Sequence, residues 1–374
     1  MRKTVMAAVV LSLAACLLVA EQKAAPAPAP RVEVAFVLDT TGSMSGLIAA
    51  AKAKIWSIAN QIVLGRPKPI VRMGLVAYRD KGDAYVTKVH DLTDNIDQVY
   101  TDLMKFQAAG GGDTPENVNQ ALYDAVHKLS WSKDRKTLKI IYLVGDCPPH
   151  NEYKDVPTYD KTAKAAIEKG IYVNTILCGP NARARKIWQE IAFAAEGTFL
   201  NIDAGGGIKE IPTPYDGELA KLNAELTRTV VLYGSRAEQR RNAKLHEAAA
   251  KYKAPAAAAR ASYAAVSGKA GAGDLLDAVR DKRVNLDKVA EEELPAEMQK
   301  MSGEERKKYL AARQAKRDEI TKKIRQLSAK RGDFIKKKMA EMAKASPAPA
   351  ESFDGKVVET LRRQAARKGI HYKE

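Results

Sequence analysis

The stretch VEVAFVLDTTGSMSG, Val32 to Gly46, is apolar apart from Glu33 until Asp39, and then turns abruptly to hydroxyl residues and glycines. An apolar run of this length bounded by turn residues fits a strand buried on both faces. The carboxylate and hydroxyls then stand at its carboxyl edge, where open α/β sheets bind ligands.

Working outward, strands are expected at Val32–Leu38, Val71–Ala77, Tyr85–Val89, Leu138–Val144, Ile171–Leu177 and Thr198–Ile202. Helices fall between them: Gly46–Val63, about Asn95–Phe106, Pro115–Leu129, Tyr159–Lys169 and Arg183–Ala195. Alternating strands and helices, with central strands as apolar as IIYLV and IYVNTIL, predict a doubly wound α/β fold with a mostly parallel six-stranded sheet.

After Pro214 the composition shifts to Ala, Lys, Arg, Glu and Gln, and strand signals vanish. Residues 214–374 carry 36 of the 62 Lys and Arg against 23 of the 45 Asp and Glu, so most of the +17 formal charge lies there. Ser302-Gly303-Glu304-Glu305 is a capping-box pattern that opens a helix running to about Lys344. Ile320, Ile324, Leu327, Phe334, Ile335, Met339 and Met342 make one apolar stripe on it, the pattern of a helical hairpin or coiled coil, with an oligomer as one outcome. The expected organisation is an α/β domain at 32–213, an all-α basic region at 214–344, and a Pro/Ala spacer with a short terminal helix at 345–374.

The first twenty residues pair Arg2 and Lys3 with an apolar stretch to Ala20, the pattern of an export signal. Leu13-Ala14-Ala15-Cys16 resembles a bacterial lipobox with Cys16 as the lipidated residue, whereas Leu17–Ala20 suits simple cleavage after Ala20. Both readings place the mature chain in the envelope or outside the cell. Residues 21–31 read as a stiff Pro/Ala spacer.

Three distant segments supply oxygen donors to one sheet edge: Asp39, Thr41, Ser43 and Ser45; Asp113 and Thr114 in GGGDTPEN; and Asp146 at the end of IIYLVGD. Carboxylates and hydroxyls without thiolate or imidazole suit a hard cation, Mg2+ first, with Mn2+ or Ca2+ as alternatives. Asp113, Ser45 and His150 are secondary candidates. A simpler reading also stands, since Asp, Ser and Thr favour helix caps and Pro115 suits a first helical position.

Asp39-Thr40-Thr41-Gly42-Ser43 resembles the Asp-x-Ser/Thr-x-Ser motif of von Willebrand factor type A domains, the metal-ion-dependent adhesion site. The resemblance covers about residues 32 to 203 and extends to the element order, including an antiparallel edge strand. Ala77–Asp80 (AYRD) and Gly145–His150 (GDCPPH) are similar to secreted bacterial members. By position it implies direct ligation by Thr41 and Ser43, a contribution from Thr114, and water-holding roles for Asp39 and Asp146. It also implies a metal-dependent binding module, not an enzyme, whose ion takes an Asp or Glu of a protein partner.

Cys147 and Cys178 lie at the tips of neighbouring strands, a spacing that predicts a disulfide. Two other functions compete. Asp39 resembles the nucleophile of phosphorylated-aspartate ATPases, but Thr40 stands where those carry Lys, and Walker and HExxH motifs are absent. Alternatively, Lys336–Lys338 beside Phe334 and Met339 equip a structural envelope protein to meet anionic lipid or polymer. An exported chain argues against a nucleic-acid partner.

Overall fold

The computed structural model describes residues 29–112, 114–204, 211–345 and 353–372. Cys16, Asp113 and most of the first spacer lie outside them.

The quoted stretch becomes β1 (Arg31–Asp39), flanked in parallel by β2 (Ile70–Tyr78) and β4 (Leu138–Gly145). With β3 (Thr87–Thr93), β5 (Ile171–Cys178) and β6 (Phe199–Ile202) the sheet runs β3-β2-β1-β4-β5-β6. Only β3 is antiparallel to its neighbour, so the expected six-stranded, mostly parallel sheet is found. β3 starts later than the expected Tyr85 because its polar residues Lys88, His90 and Asp91 give an edge strand little apolar alternation.

Period-two alternation sorts β1 between two cores. Val34, Phe36 and Leu38 face α1 (Ser45–Val63) and α2 (Ile96–Met104), while Ala35 and Val37 face the opposite layer. That second layer is α3 (Val118–His127), α4 (Tyr159–Glu168) and α5 (Ala182–Ala194), packed through Leu122, Ala166 and Trp188. The start of α3 corrects the expectation of a helix from Pro115. Asn117 is the N-cap, accepting from Gln120 N, and Glu116 N is instead bonded to Pro148 O at 3.0 Å.

Beyond the sheet come α6 (Asp216–Thr227), α7 (Arg236–Ala249), α8 (Ala254–Ser267), α9 (Leu275–Arg280), α10 (Ala296–Gln299) and α11 (Gly303–Ala345). The capping box forms, Glu305 N donating to Ser302 Oγ at 3.3 Å and Ser302 N to Glu305 Oε2 at 2.8 Å. The stripe on α11 is used unevenly. Ile320 and Ile324 are buried with Leu219, Leu222, Leu226, Ala258 and Ala261, Phe334 meets the Tyr215 ring edge-on, and Met339 is 58% exposed.

These helices are fused to the sheet. The terminal helix α12 (Phe353–Ala366) returns to the α1 face, where Phe353, Val357, Leu361 and Ala365 join the core of β1 and β4. Tyr142 of β4 donates to Val357 O at 2.8 Å, and the amides of Asn174 and Gln364 bond reciprocally at 2.9 and 3.0 Å. Among the described residues, no helix is long and apolar enough to cross a membrane.

Candidate metal centre

Asp39 ends β1 fully buried. Its Oδ1 accepts from Thr41 N at 2.9 Å and from Thr41 Oγ1 at 2.7 Å, and Thr41 Oγ1 lies 3.4 Å from Ser43 Oγ. Oδ2 of Asp39 is buried without a partner. Thr41 precedes a 3-10 turn, Gly42–Met44, without a side-chain cap bond, and α1 begins without one too. The Thr41 hydroxyl is therefore directed at the carboxylate and not spent on capping.

Backbone bonds fix this corner. Gly42 N donates to Gly110 O at 3.1 Å and Ala109 N to Thr40 O at 3.1 Å, pinning the first loop to the glycine loop. Thr40 N donates to Tyr78 O at 2.9 Å, tying the corner to β2. Gly145 permits close approach from the other side, since a Cβ there would lie 2.3 Å from the Tyr78 hydroxyl oxygen and 3.2 Å from Asp39 Cβ.

Asp146 follows Gly145, half-buried, with Oδ1 buried and unpartnered. Ser43 and Ser45 are exposed at the first loop and the start of α1, and Thr114 is exposed ahead of Pro115. His150 is buried, with Nε2 3.2 Å from Asp80 Oδ2, Nδ1 against Glu152 Oε1, and Tyr153 stacked on its ring.

A residue missing from the sequence reading lies across Gly111 from Thr41. A Cβ on Gly111 would lie 3.2 Å from Thr41 Cβ and 3.4 Å from Glu116 Oε1, so Glu116 and Thr41 flank the same glycine. Glu116 is 3% exposed and its Oε2 has no partner. In sequence it looks like an ordinary first-turn acid after Thr114-Pro115. Only the bridge of residues 116 and 149 turns it inward.

Electrostatics mark the corner as anion-rich. Burial pushes the Asp39 carboxyl up to about 7, against the pull of the Thr41 hydrogen bonds and with repulsion from Asp146 added. Burial also lifts Glu116 to about 8, followed by repulsion from Asp39, Asp80, Asp83 and Asp146. Orphaned carboxylate oxygens in a buried site are costly unless a proton or cation satisfies them. The donors here are all oxygens, so the residues present fit a hard divalent cation. No group of three or more His, Cys, Asp or Glu side chains among the described residues is arranged to hold one. Hydroxyls and water would have to complete the shell.

The expected disulfide is corrected: Cys147 and Cys178 are both free. Gly145 pairs with Leu177, so Cys178 is level with Asp146 and one residue out of step with Cys147. Successive strand residues point to opposite faces. Cys178 accordingly packs in the α1-side core, while Cys147 accepts through its carbonyl from Trp188 Nε1 of the other layer at 3.0 Å.

A mostly parallel sheet with an oxygen-lined corner after its first strand defines an α/β domain of the von Willebrand factor A kind. The von Willebrand factor A domain family matches residues 33–202, and the chain carries that domain there. Domains of this family are typically protein-interaction or adhesion modules. A curated Acanthamoeba polyphaga mimivirus protein, described as ariadne-like with a RING finger, is 26% identical over 121 residues. That match covers 32% of this chain and 11% of the viral protein, so the chain spans about a tenth of that relative's length.

Solved structures similar to this chain include proximal thread matrix protein 1 of the mussel byssus with a zinc-occupied MIDAS motif. It is 16% identical, with 46% of this chain and 42% of that one covered and a TM-score of 0.37. The pilus adhesin SpaC of Lactobacillus rhamnosus GG is 15% identical over 48% of this chain and 28% of its own, with a TM-score of 0.37. The SpRpn10 VWA domain is 15% identical over 47% of this chain and 89% of its own, with a TM-score of 0.36.

Proposed function

We propose that this protein is a divalent-cation-dependent binding module of the bacterial envelope, without catalytic activity, that captures a protein partner through an Asp or Glu side chain. The observation that carries the reading is the pair of unpartnered buried oxygens, Asp39 Oδ2 and Asp146 Oδ1, at a corner where every other donor is also oxygen. In this reading Thr41 and Ser43 hold the ion directly, Thr114 joins from the second loop, and Asp39 and Asp146 hold it through water. Mg2+ is favoured, because a small hard cation keeps waters that carboxylates can orient. An ion held this way retains affinity for an outside carboxylate. Calorimetric titration with Mg2+, Mn2+ and Ca2+ tests this, with binding lost in Asp39→Asn; absence of heat for all three ions would end the reading.

One observation favours an added role for the helical region. The distal part of α11 carries Lys336, Lys337 and Lys338, all exposed, next to exposed Met339 and beyond Arg331 and Phe334, which meet Asp216 and Tyr215. Such a basic stretch suits an anionic lipid or polymer surface. Vesicle sedimentation that weakens steeply with salt supports it, and indifference to salt counts against it.

A further inference from the structure

Between the sheet domain and the helices that follow it lies a cavity of about 500 Å³, to which none of the metal-corner residues contributes. Its walls are the segment Asp94–Asp97 that leads into α2, the facing sides of α7 and α8, and the loop Lys269–Asp274, with Trp56 of α1 also lining it. A junction between two packed units is a usual place for a small-molecule site, and the volume falls in the range of such sites.

The walls are built in advance of any occupant. Two glycines let the loop seat directly on α7: a Cβ on Gly271 would lie 2.6 Å from His246 Nε2, and one on Gly273 would overlap Asn242 Nδ2. Tyr233 N donates to Gly273 O at 3.1 Å and Gly234 N to Glu293 O at 2.9 Å, which fixes the rim.

The charges around the cavity are already matched. Lys269 Nζ donates to Asp94 Oδ2 at 2.6 Å, and Arg260 spends every guanidinium proton on Asp97, Asn223, Thr227 and Ala270. Asp274 pairs with Arg317, and Glu238 accepts from Ser235. At the mouth, exposed Arg241 and Glu293 are opposite in sign. A ligand with net charge would be desolvated here without gaining an unpaired buried counter-charge.

Two lining residues break this pattern. Trp56 and Asp277 are each 2% exposed, and Trp56 Nε1 and Asp277 Oδ2 are buried without a hydrogen-bond partner among the described residues. Oδ1 of Asp277 is taken by Arg280 and Arg317 at 2.9 and 3.1 Å. The indole N–H only donates and the carboxylate oxygen only accepts.

We infer that this cavity binds a neutral, hydroxyl-rich small molecule, a mono- or disaccharide in size. A hydroxyl both donates and accepts, so one class of ligand serves both orphaned atoms and brings no charge into a site that has none to offer it. Tyr233 and Tyr263, which also line the cavity, supply aromatic carbon for the C–H groups of a sugar ring. The inference is independent of the metal reading, because the two sites share no residue.

The experiment uses the purified full chain in chelator, with D-glucose, N-acetyl-D-glucosamine and maltose as probes. Saturation-transfer NMR reads binding, and the indole N–H signals of the three tryptophans in 15N-labelled protein read its place. At least one probe should receive saturation and move a single indole signal, the one missing from Trp56→Phe. That variant should bind the probe about fivefold more weakly, the scale of one neutral hydrogen bond. Ala272→Trp, at a half-buried position of the lining loop, fills the cavity and should abolish transfer. The inference is overturned by absence of transfer to all three sugars, by a probe that binds without moving any indole signal, or by undiminished binding in Ala272→Trp. Binding of glutamate or inorganic phosphate in place of the sugars overturns it too. The indole shift is read on wild type, so the test stands even where a variant fails to fold.

Discussion

Arg260 of α8 reaches across to α2 and grips Asp97 with two parallel hydrogen bonds, Nε to Oδ1 at 2.6 Å and Nη2 to Oδ2 at 2.7 Å. Both side chains are buried, and the remaining guanidinium protons go to Asn223 Oδ1, Thr227 Oγ1 and Ala270 O. The helical region is therefore joined to the sheet domain through a fully paired buried charge, not only through apolar contact. Arg317 does similar work within the helices, bonding Asp274, Asp277 and Thr229.

Removing one partner of that pair is expected to cost more than removing both. Asp97→Ala strands a buried guanidinium and should destabilise by about 3–5 kcal/mol, whereas Asp97→Ala with Arg260→Met should recover much of the loss. Urea denaturation of the two single variants and the double variant measures this. Additive losses would show that the two groups are not coupled.

The sheet needs its last helix. Phe353 is buried among Phe36, Tyr142 and their neighbours, and Phe353→Ala should cost about 3–5 kcal/mol. A chain ending at residue 345 uncovers that apolar face and should bind a hydrophobic dye such as ANS or aggregate. A truncated chain with the wild-type melting temperature would contradict this packing.

Stability of the metal-free protein should fall as pH rises from about 6.5 to 8. Asp39 is raised from 3.8 to about 7 and Glu116 from 4.5 to about 8. Across that interval the native state keeps protons that the unfolded chain has already released, so deprotonation favours unfolding. Burial lowers His246, which acts in the opposite sense, but only up to about its ordinary 6.5. Urea midpoints measured in chelator across this range should decline, and a rising midpoint would refute the assignment.

Divalent cation should reverse that decline. At a Mg2+ concentration near 100 times its dissociation constant the native state gains about 2.7 kcal/mol, and Asp39→Asn should gain little. Thermal melts at pH 8 with and without Mg2+ provide the comparison; equal gains in both proteins would place the ion elsewhere.

Both strand-tip cysteines should titrate as thiols in denatured, unreduced protein, and react slowly when folded because burial pushes each thiol well above its usual value. Retention of a bridged peptide after non-reducing digestion would overturn the free-thiol structure.

Local sequence alone determined the parallel sheet, the capping box at Ser302 and the oxygen corner at Asp39, because burial on two faces, helix capping and strand-edge placement each leave a pattern within a few residues. Tertiary structure decided what contacts across the chain control. Asn117, not Thr114, caps α3, because Glu116 is held by the Pro148 backbone. Cys147 and Cys178 miss one another because strand register, invisible in either strand by itself, sets them a residue apart. Glu116 turns inward, and Arg260 finds Asp97, only once segments up to 163 residues apart are packed together. Those groups are placed by apolar packing and by hydrogen bonds between distant segments, which offset the cost of burying their polar atoms, and no local window of sequence contains both sides of those contacts.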